Sequence, residues 1–127
     1  MGVNKLITPS ISKPSSLYVG SVSDTTGVAT YKTALNVSGS GSCIGLLFNI
    51  TNARTSVTVP CKITVDGVVQ PVFNVMTSGS LSSNFKFNSS FKIELSPQAV
   101  GYYASSSDES LSYATTTATA IASIALN

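Results

Sequence analysis

From Ile44 onward the chain alternates apolar and other side chains with a period of two. Ile44, Leu46, Phe48 and Ile50 take one parity, and Gly45, Leu47, Asn49 and Thr51 take the other. Successive side chains of a strand point to opposite faces, so this pattern buries one face and leaves the other to solvent. It resumes at Val57, Val59, Cys61, Ile63 and Val65, set against Thr58, Pro60, Lys62 and Thr64. The residues between, Asn52 to Ser56, read as a hairpin loop. Pairing Ile50 with Val57 sets Phe48 across from Val59 and Leu46 across from Cys61, with every apolar residue on one side. Pro60 cannot donate to a ladder, which predicts a free edge or a bulge in its strand.

Asp66-Gly67 follows between Val65 and Val68. Both residues tolerate positive φ, as the type I′ turn of a two-residue hairpin requires. A simple hairpin would leave Phe73 and Val75 on the wrong face, and a bulge near Gln70-Pro71 would return them to the core. Phe85, Phe87, Phe91, Ile93 and Leu95 share one parity, with Asn88 to Ser90 as a turn between two short strands or as part of one bent strand. Tight pairing of Phe87 with Phe91 would face Lys86 against Lys92, a mild cost. Residues 96–110 read as a loop, and Leu111 to Leu126, too rich in Thr for a helix, as a terminal strand. With no helical period anywhere, the expected fold is all-β: a single antiparallel β-sandwich or jelly roll over residues 17–127. Its expected core holds Ile44, Leu46, Phe48, Ile50, Val57, Val59, Ile63 and Val65. Residues 1–16, with Pro9 and Pro14, read as an extended arm, either frayed or docked on a neighbour.

The chain has no histidine. That removes the commonest general base, the commonest metal ligand and every His-activated nucleophile. The five acids, Asp24, Asp66, Glu94, Asp108 and Glu109, include no pair marked for glycoside hydrolysis. Asp108-Glu109 invites a calcium site, but a solvated loop explains it better. In the register above Cys61 points inward and Cys43 lies on the opposite face of the same sheet, so a disulfide, which needs Cβ atoms about 4 Å apart, is not expected. Cys61 is then a small core residue. The expectation is no enzyme, no catalytic residue, no metal and no cofactor.

Only 9% of residues are charged, and the formal net charge is +2. An average domain is about 25% charged. Hydroxyls in place of charges keep a surface wet while removing the repulsion between copies, which suits a homo-oligomer. The seven cations are scattered singly, so nucleic acid is not an expected partner. No run approaches the roughly 20 apolar residues of a membrane span, and the N-terminal residues show neither a secretory signal nor a myristoylation pattern. Synthesis in a cytoplasm without export is therefore expected, and the glycosylation patterns at Asn36, Asn49 and Asn88 are read as chance. Tyr102-Tyr103 in the 96–110 loop are the candidate ligand or subunit contacts, set against the plainer reading of a ring packed on the sandwich rim. A soluble carbohydrate-binding module is the alternative function that these tyrosines and the Ser/Thr-rich surface suggest.

Residues 34–95 also carry a resemblance. The run Ala34 to Gly41, the strand Ile44 to Ile50, Ile63-Thr64-Val65-Asp66-Gly67 and the Phe85 to Leu95 segment follow in an order similar to small β-sandwich structural proteins of tailed bacteriophages and prophages. These are tail-fibre, baseplate-appendage and head-decoration modules. Their motifs are general to jelly rolls, and no catalytic or ligand residue comes over with them. The resemblance implies a non-catalytic virion component, in a fibre, tail appendage or capsid decoration. Its expected partners are copies of itself, other virion proteins and a host cell-surface glycan.

Overall fold

A computed structural model describes residues 14–76, 78–81, 84–107 and 109–127, apart from the side chains of Ser78 and Leu81. The chain is all-β, with no helix among these residues. Its strands are β1 (Ser16–Asp24), β2 (Lys32–Ser38), β3 (Gly41–Asn52), β4 (Val59–Val65), β5 (Val68–Val69), β6 (Phe73–Val75), β7 (Ser78–Leu81), β8 (Phe85–Phe87), β9 (Ser90–Leu95), β10 (Val100–Tyr102), β11 (Ser112–Ala114) and β12 (Thr116–Leu126). The first sheet runs β1-β12-β3-β7, with β8 also on β3; the second runs β2-β9-β4-β5, with β6 also on β4. All pairings are antiparallel. The two sheets pack as a β-sandwich, and β10 and β11 form a separate ribbon.

The local turn chemistry is realised at Asp66 and Gly67, whose φ values are 51° and 81°. Thr64 pairs with Val69, but Cys61 pairs with Phe73, so one extra residue enters between Val69 and Phe73. This is the bulge expected near Gln70-Pro71. It turns Val75 into the core and brings Phe73 edge-on to Phe48, with ring centroids 6.0 Å apart.

The expected β3–β4 hairpin is not formed. β3 pairs with β12, β7 and β8, whereas β4 pairs with β9, β5 and β6. Residues 53–58 therefore cross from one sheet to the other. The inward parity survives because the inner faces of both sheets line the same core. Leu46, Phe48, Ile50, Val59 and Ile63 are buried, and Val57 and Val65 pack partly buried against them. Pro60 likewise marks no free edge. Its strand is flanked by β9 and β6, Pro60 lies across from Asn74, and its carbonyl accepts from the Ser96 N–H at 3.0 Å.

Ile44 is a second correction, since it is 53% exposed rather than in the core. On β12, Ser123 pairs with Gly45 and Ile124 with Cys43, leaving Ile44 without a partner. That bulge flips the parity at the start of β3, so Ile44 turns out and Cys43 turns in, opposite to the expected face. Cys43 and Cys61 are both buried in the core and both free. The Asn88–Ser89 turn also crosses between sheets, because β8 joins β3 while β9 joins β2 and β4. Lys86 and Lys92 thus lie on different sheets and do not face each other. The segment read as a terminal strand holds β11 and β12, and β12 is interior to its sheet, between β1 and β3. Its Ala118, Ala120 and Ala122 leave room for the larger side chains opposite. The 96–110 loop contains β10. Residues 1–13 of the expected arm lie outside the described residues; Pro14 and Ser15 are exposed, and β1 begins at Ser16.

Candidate functional site

Two of the carboxylates, those of Asp24 and Asp66, are occupied in holding loops. Asp24, buried at the end of β1, accepts from the N–H groups of Ala99 (2.8 Å) and Gly27 (2.9 Å), with Lys32 Nζ 4.0 Å away. The Ala99 N–H is the main cause that keeps its carboxyl below the usual range, against the opposing effect of burial. Asp66 accepts from the N–H groups of Ser89 (2.7 Å), Asn88 (2.9 Å) and Ser90 (3.1 Å). These donors, Ser89 foremost, lower its pKa to about 2. Glu94 sits between Lys92 (3.6 Å) and Lys62 (3.9 Å) on the outer face of the second sheet. Glu109 is exposed, and Asp108 lies outside the described residues. Among the described residues no cluster of His, Cys, Asp or Glu is placed to hold a metal ion. Burial pushes the Cys61 thiol up to about 12 and raises that of Cys43. Both are therefore protonated core groups rather than nucleophiles.

The tyrosine pair divides. Tyr102 ends β10, and Arg54 from the 53–58 crossing lies over its ring, 4.0 Å from the centroid. Tyr103 follows in the loop and is 57% exposed. Tyr113 of β11 packs where a side chain on Gly27 would stand. Tyr31 carries Lys62 over its ring at 4.3 Å. The rings are thus spread round one end and the second sheet's face.

The outer face of the first sheet is the more distinctive surface. Its registers set Val19 against Ile121 and Ile121 against Leu47, which lies across from Ser80. In the next row Leu17 faces Ser123 and Ser123 faces Gly45. Leu17 is 70% exposed, Val19 61% and Leu47 52%, and Ile44 joins them through its bulge. Gly45 would offer a Cβ only open space, and the patch includes a shallow groove lined by Leu17, Ile44, Leu47, Ile121 and Ser123. Towards the other end hydroxyls take over, with Ser21 bonded to Thr119 (2.7 Å) and Ser23 to Thr117 (2.9 Å). β1, β12, β3 and β7 place no charged side chain on this face, since Asp24 points inward. Lys86 of β8, across from Ser42, is the charged corner. The second sheet's outer face carries Lys62, Lys92 and Glu94, whereas Lys32, paired with the buried Leu95, turns inward to Asp24.

Sequence reading missed this surface. Its signal was Leu47, an apolar residue on the parity otherwise held by Gly45, Asn49 and Thr51, together with Leu17, Val19 and Ile121. No helix among the described residues is long and apolar enough to cross a membrane. No protein-family model, curated protein or solved structure matches this chain.

Proposed function

We propose that this chain is a non-catalytic structural protein of a phage or phage-like particle, working by self-assembly in a fibre, tail appendage or capsid decoration. The observation that carries the reading is the unequal charge of the two sheets: one outer face is apolar and hydroxylated save for Lys86 at a corner, the other bears Lys62, Lys92 and Glu94. A face of several exposed aliphatic side chains is characteristic of an association surface rather than of a free one. The occupied carboxylates and protonated thiols support a role without catalysis. The resemblance of the order of its β-rich segments to phage sandwich modules supplies the setting.

Mass spectrometry of the particle fraction purified from cells that carry the gene tests this. Many copies of the chain per particle are expected; a chain confined to the soluble fraction contradicts the reading. A second reading, a carbohydrate-binding module, draws on the exposed ring of Tyr103 beside the Arg54–Tyr102 stack. Saturable binding on a glycan array that Tyr103→Ala abolishes would favour it.

A further inference from the structure

We infer that the outer face of the β1-β12-β3-β7 sheet is the docking surface for a second copy of this chain, the two copies packing sheet to sheet. The inference deepens the self-assembly reading above and rests on it. A two-fold contact sets a patch against itself, so it favours a patch with no net charge to repel its own copy. The first sheet's face satisfies that condition, because Leu17, Val19, Leu47 and Ile121 and the hydroxyl rows beside them are uncharged. The second sheet's face, with two lysines to one glutamate, carries a net positive charge that opposes a copy of itself.

Size is consistent with this occupant. The β1–β12 register runs over Ser16 to Asp24. With strands about 4.8 Å apart and a rise of about 3.3 Å per residue, β1, β12 and β3 over that length and the short β7 span about 500 Å², so docking removes about 1,000 Å² in total, the floor for a specific interface. The open space over Gly45 gives a hollow for a projecting aliphatic side chain of the partner, such as Leu17 or Leu47.

The outer edge of the second sheet offers less. The β5–β6 edge is broken by its bulge and by Pro71, both of which discourage strand addition.

Light scattering coupled to gel filtration, on the full-length chain at high micromolar concentration, tests the inference with three variants. Wild type is expected at twice the chain mass. Leu47→Lys and Val19→Lys, both at exposed positions, are expected to keep the wild-type circular dichroism and to raise the dimer dissociation constant by about 100-fold. Val69→Lys, on the other sheet, is expected to leave the dimer intact. A monomeric wild type overturns the inference. If Leu47→Lys then abolishes a protection of residues 1–13 from proteolysis, the face belongs to the chain's own arm. A dimer that survives both face variants, or that Val69→Lys dissolves, also overturns it. A chain found in particles yet monomeric alone would sink this inference and leave the virion reading standing.

Discussion

Phe87 and Phe91 stack with ring centroids 5.5 Å apart and an interplanar angle of 26°, although they belong to different sheets. The Asn88–Ser89 turn carries the chain across the sandwich between them, and both rings are buried. Phe85 adds a third ring, 5.7 Å from Phe91. One short crossing thus delivers aromatic area to both inner faces. Phe91→Ala should cost about 3–5 kcal/mol, the cavity left by a buried ring plus the lost stack. Urea denaturation at low protein concentration reads this directly. A loss below about 1 kcal/mol would mean that the two sheets do not meet at these rings.

That crossing is also clasped from outside by Asp66. Its carboxylate binds the 88–90 backbone, and donors that favour the charged form lower its pKa from 3.8 to about 2. A lowered folded-state pKa means that the clasp stabilises fully above the unfolded value, near pH 4. Its contribution fades as pH falls towards about 2. Asp66→Asn keeps a residue that accepts positive φ but removes the charge. The stability gap between wild type and this variant should be constant above pH 5 and shrink steadily between pH 4 and pH 2. A gap independent of pH would contradict the clasp.

Gly20 and Gly45 make opposite predictions. A Cβ at Gly20 strikes the Ala34 backbone of the facing sheet, whereas one at Gly45 meets nothing within 4 Å. Gly20→Ala should therefore lose about 3 kcal/mol or more, because backbone must move. Gly45→Ala should stay within about 0.5 kcal/mol of wild type in dilute thermal melts.

Much of this architecture was legible, and the failures share a cause. The Asp66-Gly67 turn and the bulge after Val69 were readable because turn geometry and parity are local. The Leu46–Phe48–Ile50 and Val59–Cys61–Ile63 parities were readable too. Which strands are neighbours was not, because in a sandwich both inner faces point at one core and alternation reports the face alone. Hence the loop after Asn52 looked like a hairpin when it crosses between sheets. Ile44 and Cys43 exchanged faces because the bulge depends on β12, some 80 residues away, which no local pattern contains. The outer apolar face escaped notice for a related reason. Leu17, Val19, Leu47 and Ile121 are far apart in sequence and become one surface only through register.

The buried thiols give a simple check on that corrected parity. Cys43 and Cys61 both line the core, and burial holds both protonated. A thiol reagent should label neither in the native protein and both after denaturation. Fast native labelling of Cys43 would restore the outward face that the strand pattern suggested.

Hydroxyl-radical footprinting at low and high protein concentration tests the central claim, that the two outer faces do different work. Leu17, Val19 and Leu47 are expected to become protected as concentration rises, while Val68 and Val69 on β5 label equally at both. Unchanged labelling of Leu17 and Leu47, or protection of β5 instead, would contradict it.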